Sequence, residues 1–415
     1  MLYTCDNSRH VITAVDLGGQ VVLDGLTIVA GCGMGWTELP GDQLAYLTSY
    51  GGGILVVNGS LSIVNCVIRQ NYAWCGGAIY ADDSDLALDN CAFLLNHSDI
   101  AVVYAKDSQL RLNNCSFCSN FCLGKYDSYG GPQGAGVMCD NSQAEAAHCF
   151  FVDNRSGNPQ GGAFVNRSGC KTTIRNSIFA ANVTSGGGGA ITNISSELSL
   201  VNCTFQENIR HAISSCASDR ESHVDIVNSI FFGQVGPPLG QLAIFNSDGS
   251  IISIRYCSIG GGKAAVRDAG TDESIIWGEG NVEGDPCFAM PGRWVYPWTK
   301  EYLLVSGYDA NRWVDGDYHL KSQAGRWDPA SQTWVKDDVT SPCIDAGDPN
   351  SPIGLEPFPN GGRINMGAYG GTQEASKSYF GGPTCETIVS GDIDGNCKVD
   401  LQDLAILASH WLEGW

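Results

Sequence analysis

The chain has 415 residues, 23 basic and 44 acidic, for a formal net charge of −21; 43% are apolar, 53 are Gly and only 5 are Met. A chain this acidic, with no basic run, lacks the electrostatic footprint of a nucleic-acid binder or of a protein that docks on anionic membranes. The Gly-rich, Met-poor balance favours strands and turns over helices.

The first residues, Met1 to Asp6, hold neither the charged segment nor the apolar segment of a signal peptide. The export argued below therefore predicts a leader upstream of this chain. No apolar run reaches the roughly 18 residues a transmembrane helix requires.

An internal repeat follows. Leu61-Ser-Ile-Val-Asn-Cys-Val-Ile68 recurs from Leu86, Leu110 and Leu198, with looser copies from Ala144, Lys171, Val224 and Ile252 and an earlier coil over Val22 to Ile28. From Leu61 to Ile252 the spacing is 24 to 28 residues, apart from one coil of 34. Each unit carries a second short strand, such as Gly77 to Tyr80 or Ala101 to Tyr104, and the strands are separated by Gly, Asn, Asp and Ser. No 3.6-residue apolar period spans the units. A strand-rich turn of this length cannot close a core alone and must stack on its neighbours. The pattern predicts an all-β, right-handed parallel β-helix solenoid.

Alternation assigns the faces. Leu61 and Ile63 are expected inward, and Ser62 and Val64 outward. Ile79, Val103, Val137, Phe164, Ile191 and Ile213 form a second inward column, which turns Tyr80, Tyr104, Met138, Val165 and Thr192 outward. Asn71, Asn96, Asn120, Asn154, Asn182 and Asn208 hold one turn position, suited to hydrogen bonds between coils and to left-handed backbone. Cys66, Cys91, Cys115, Cys149, Cys203 and Cys257 hold another, replaced by Ser177 and Ser229 in two coils, which marks a column of small buried free thiols. Cys118 with Cys122, Cys287 with Cys343, and Cys385 with Cys397 are better placed for disulfides and point to an oxidising compartment.

The outward positions hold the candidate carbohydrate contacts: Tyr80, Tyr104, Asp82 and Lys106, with Tyr126 and Tyr129 on the longest within-coil insertion. Stacked tyrosines offer planes for sugar rings, and long loops on a rigid scaffold carry function. Asp82 and Asp83 also suit a plain turn. No paired acid and base emerges, so catalytic residues are not assigned.

Past Cys287 the repeat stops. Trp294, Trp298, Trp313, Trp327 and Trp334 crowd a segment suited either to sugar binding or to capping the solenoid. Ser341-Pro-Cys-Ile-Asp-Ala-Gly-Asp348 and Gly362-Arg-Ile-Asn-Met-Gly-Ala-Tyr-Gly-Gly371 follow. With the coils, this pair resembles the ending of secreted right-handed β-helix proteins of the planctomycete type, which have the pectate-lyase-like superfold. The resemblance covers roughly residues 11 to 376 and implies that fold and export. Enzymes of that superfold suggest a polysaccharide lyase or glycoside hydrolase as one alternative, and a structural surface adhesin is another.

At the end, Asp392, Asp394, Asn396, Asp400 and Asp403 occupy positions 1, 3, 5, 9 and 12 of a loop, and Lys398 offers its carbonyl at position 7. That spacing of hard oxygens suits Ca2+. Leu401 to Leu412 has a helical apolar face. Loop and helix together resemble one dockerin repeat, although Cys397 stands where Gly is usual and only one repeat is present. The resemblance implies calcium-dependent attachment and a cohesin-like protein partner.

Three regions are therefore expected: coils over 1–282, a C-terminal cap or extension over 283–378, and a dockerin-like module over 379–415. The leading expectation is an extracellular or cell-surface protein contacting polysaccharide or cell-envelope glycan.

Overall fold

The computed structural model describes residues 8–33, 48–123, 134–157, 161–234, 242–247, 249–269, 274–295, 312–379, 391, 393 and 398–410. Parallel strands stack into three long sheets of 15, 10 and 9 strands. In each coil the chain passes from the first sheet to the second and then the third, for example Ile79–Asp82, Asp85–Asp89 and Ala92–Leu94. This is a parallel β-helix solenoid, as the repeat predicts.

The expected columns are in register. Leu61 pairs with Leu86, Leu86 with Leu110, and Leu110 with Ala144. The next partner is Thr172, one residue beyond the expected Lys171, so Lys171 is outward and exposed. Ile79, Val103, Val137, Phe164, Ile191 and Ile213 line up and belong to one continuous core. Inside the third sheet, Phe93, Phe117, Phe151, Phe179, Phe205 and Phe231 stack nearly face to face, with centroids 4.5 to 5.1 Å apart.

The turn asparagines form a buried ladder. The Asn71 Nδ2 donates to Asn96 Oδ1 at 3.1 Å, and the series continues through Asn120, Asn154, Asn182 and Asn208 to Gln234. Each rung also ties backbone groups of adjacent coils. The left-handed residue is not the ladder asparagine but the one before it: Gln70, Leu95, Ser119, Asp153, Ala181 and Glu207 all have positive φ. The ladder holds even Leu95 and Ala181 in a conformation that L-residues avoid. Close packing at these corners also demands glycine: a Cβ on Gly77 would lie 1.8 Å from the His97 carbonyl oxygen.

The cysteine column is buried and free of disulfides at Cys66, Cys91, Cys115, Cys149, Cys203 and Cys257. Each of the first four thiols donates to the carbonyl two residues earlier, as the Ser177 and Ser229 hydroxyls do. That shared bond explains why Ser and Cys interchange there. Burial pushes the Cys203 and Cys257 thiols up to about 12, which makes them poor nucleophiles. Two expected disulfides do not form: Cys118, Cys287 and Cys343 are free thiols. Cys118 lies in the third sheet, whereas Cys122 has already turned into the first. Cys385 and Cys397 lie outside the described residues. Cys32 is disulfide-bonded.

Beyond the coils, three short antiparallel pairs include Phe288–Met290 with Asp317–Leu320 and Arg293–Val295 with Arg312–Val314. This region packs along the flank of the solenoid. Phe288, Trp313, Tyr318, Ile344 and Met366 share a core with Val152, Ile178, Ala180 and Ile230 of the coils. Turn asparagines secure it: Asn176 Nδ2 donates to Gly370 O at 2.7 Å, and Asn202 Nδ2 to Asn365 O at 2.9 Å. A Cβ on Gly370 would sit 2.0 Å from the Asn365 backbone carbonyl oxygen and 2.3 Å from that Asn202 amide, which accounts for the glycine in this ending. Trp294 packs edge-on against buried Trp313, so both serve packing; Trp298 lies outside the described residues.

Glu356 is buried within this flank. Its Oε1 accepts the Asn365 and Gly371 N–H groups, both at 2.8 Å, while Oε2 has no partner among the described residues. Burial outweighs those two bonds and pushes the carboxyl from its ordinary 4.5 up to about 7. The folded state therefore holds this proton more tightly than the unfolded chain. Its contribution is complete below the ordinary value and is lost as pH rises through about 7, an effect of about 3 kcal/mol. Thermal melts across that range are expected to fall more steeply with pH for the wild type than for Glu356→Gln. Parallel profiles would exclude Glu356 as the source.

Candidate functional site

The outward face of the first sheet holds the tyrosines, but not as an open platform. Tyr80 and Tyr104 stack at 5.5 Å with an interplanar angle of 3°, and Tyr50 packs on Tyr80 at 4.8 Å. They are only 3% and 6% exposed, in a second apolar cluster outside the main core with Leu55, Cys75, Met138 and Val165. Their direction is as expected; their exposure is not, because Tyr50, Trp74 and Ile100 pack over them. Burial pushes both phenols well above their ordinary value.

Beside them, Asp82, Lys106, Asp140 and Arg167 line up in register with alternating charge. The Lys106 Nζ lies 3.3 Å from Asp82 Oδ1, and the Arg167 Nη2 lies 2.5 Å from Asp140 Oδ2. Tyr104 Oη donates to the same Asp140 oxygen at 2.8 Å, and Tyr80 Oη donates to Asp82 at 3.2 Å. Burial would raise the Asp140 carboxyl, but the Arg167 hydrogen bond and charge hold it below its usual range. Every charge in this row faces an opposite one, so the row works as a brace between coils. Tyr126 and Tyr129 lie outside the described residues.

The second sheet is different. Its outer face carries an open groove of about 910 Å3 running from the strand Gln109–Asn113 to the strand Ile275–Trp277. Two outward columns line it. Gln109, Gln143, Lys171, Glu197 and His223 form one, in register. Arg111, Glu145, Thr173, Ser199, Asp225 and Ser253 form the other. Successive rungs repeat at about 4.8 Å, so equivalent polar groups recur at even intervals along the axis. Sequence reading passed over this face because its residue types change from coil to coil. The available signal was the alternation itself, which turns the residues flanking Leu110, Leu198 and Val224 outward.

At the C-terminus, Leu401–His410 is a helix, as expected. Asp400 caps it by accepting the Gln402 N–H at 2.8 Å. Asp403 is 2% exposed, and its two oxygens accept the Ile393 and Asp400 N–H groups at 2.5 and 2.7 Å. Of the expected calcium ligands, Lys398, Asp400 and Asp403 are described, while Asp392, Asp394 and Asn396 lie outside the described residues. Among the described residues no three His, Cys, Asp or Glu side chains converge as a metal centre. Leu401, Leu404 and Leu407 are 80%, 58% and 44% exposed.

One further polar cluster lies in the flank. The His319 ring is buried, with Nδ1 2.6 Å from Asp317 and Nε2 3.3 Å from Glu374, and it stacks on Tyr369 at 3.6 Å. Arg326 joins Asp317 to Asp337, both at 3.1 Å. The cluster binds the short antiparallel pairs to the glycine-rich ending. No helix among the described residues is long and apolar enough to cross a membrane.

Compared with known proteins, residues 309–347, a small part of the chain, match the family described as Disaggregatase related. No curated protein and no solved structure matches the chain.

Proposed function

We propose that this chain is an extracellular polysaccharide-binding protein whose ligand lies along the open face of the second sheet. The observation that carries this reading is the groove of about 910 Å3 lined by two in-register columns, polar as far as His223 and Ser253 and ending on Ile251 and Ile276. A polymer of regular repeat can meet equivalent hydrogen-bonding groups on successive rungs. The buried tyrosines are not part of this surface. The disulfide at Cys32 supports export to an oxidising compartment.

Ser199 is outward, partly exposed and central in the groove. Ser199→Trp is expected to fill it without touching the core and to weaken glycan retention about tenfold or more in affinity electrophoresis. Equal retention of variant and wild type would remove the groove as the binding site. Incubation with the retained polymer separates binding from catalysis: release of fragments would make the protein a lyase or hydrolase.

The C-terminal segment is proposed as the attachment element. Asp403, buried at the first turn with its oxygens accepting the Ile393 and Asp400 N–H groups, supports the reading that it would close an oxygen-lined loop with Lys398 and Asp400. Bound Ca2+ would neutralise the acidic loop and fix the helix entry. The exposed Leu401, Leu404 and Leu407 then suit a cohesin-like protein partner. Calorimetric titration is expected to give heat with the wild type and not with Asp392→Ala; equal heats exclude the site.

A further inference from the structure

We infer that the second-sheet groove selects uncharged or amine-bearing glycans and rejects polyuronates. This rests on the groove reading above and narrows it to a ligand class.

The argument is one of uncommitted charge. A polyanion is held by cations that gain a partner on binding. Each lysine or arginine at this groove is already engaged. Arg111 donates twice to Asp85, at 2.8 and 3.1 Å. Lys171 lies 3.3 Å from Glu197, and Arg255, at the groove edge, lies 2.6 Å from Asp225. Glu145, by contrast, is exposed, lines the groove and has no ion pair among the described residues. The uncommitted charge in the groove is therefore negative. The net charge of −21 adds a repulsive field against any polyanion. Among the other lining groups, Gln109, Gln143, Thr173, Ser199 and Ser253 are neutral donors and acceptors suited to sugar hydroxyls, beside His223 and, at one end, the apolar Ile251 and Ile276. A carboxylate among them accepts from sugar hydroxyls, as an amide oxygen also can, and from an ammonium with charge attraction added.

The test uses the full chain in affinity electrophoresis at low and moderate salt. The gels contain soluble glucan, mannan, a chitosan oligosaccharide, polygalacturonate or alginate. Retention by an uncharged or amine-bearing polymer, lost in Ser199→Trp, with none by either polyuronate, is the expected result. Glu145→Gln separates the two accepted sources: it is expected to weaken the chitosan ligand about tenfold and to leave glucan or mannan within about twofold. Polyuronate retention by the wild type that Ser199→Trp abolishes would overturn the ligand class and leave the groove standing. Retention of any polymer that Ser199→Trp does not change, or retention of none, would overturn the groove reading itself.

Discussion

Phe151→Ala is expected to lower the unfolding free energy by about 4 kcal/mol. Its ring is fully buried and sits mid-column, 4.9 Å from Phe117 and 4.6 Å from Phe179, with Phe164 edge-on at 6.0 Å. Alanine removes both stacking partners' shared surface and leaves a hole that rigid strands on three sides cannot close. The parallel strands Phe150–Val152 and Ile178–Ala180 are pinned by backbone bonds, so collapse of the site is restricted. In a solenoid each coil is stabilised by its neighbours. The same change is therefore expected to separate the urea transition into two, one on each side of the damaged rung. Phe151→Leu, which keeps most of the volume, should cost about 1.5 kcal/mol or less. A loss below that level for Phe151→Ala, measured by equilibrium unfolding, would show that the column is not the load path between coils.

Asn120→Ala is expected to cost about 3 kcal/mol. The Asn120 amide donates to Phe93 O and to Asn154 Oδ1, both at 2.9 Å. Its Oδ1 accepts the Asn96 backbone N–H at 3.0 Å and the Asn96 amide at 3.2 Å. All four bonds are buried, so their loss leaves the Asn96 N–H and the Phe93 carbonyl short of partners in a region closed to water. The left-handed turn at Ser119 also loses its anchor. Asn113→Ala is the matching control: its amide bonds Asp89 Oδ1 at 2.8 Å on the exposed face, where water can substitute. That change should stay within about 0.5 kcal/mol. Similar losses for the two variants in thermal and urea melts would mean that the buried ladder contributes no more than a surface bond.

These two positions also show what local pattern can carry. Phe151 recurs on the inward side of a three-residue strand, and Asn120 recurs at a fixed step behind the Cys column. A residue that faces its own coil's interior meets the same residue of the next coil, so recurrence in sequence becomes contact in space. The tyrosines obeyed the same alternation and still became buried, because Tyr50 and Trp74 cover them from corners outside their own strand. The groove face shares its alternation with the other outward faces. Among the described residues, it differs in that no segment folds back over it.

The amino-acid sequence by itself determined the solenoid, its inward columns, the thiol column and the helix after the acidic loop. Each depends on neighbours one rung or one turn away, and a 24- to 28-residue period brings such neighbours together automatically. Only the tertiary structure decided that Cys118 and Cys343 remain thiols, that the stretches 288–295 and 312–378 pack along the flank, and that the second sheet presents the open face. Those outcomes depend on segments up to 194 residues apart, such as Asn176 with Gly370. Water exposure and sulfur-to-sulfur reach follow from where such distant pieces come to rest, a relation that no local spacing contains.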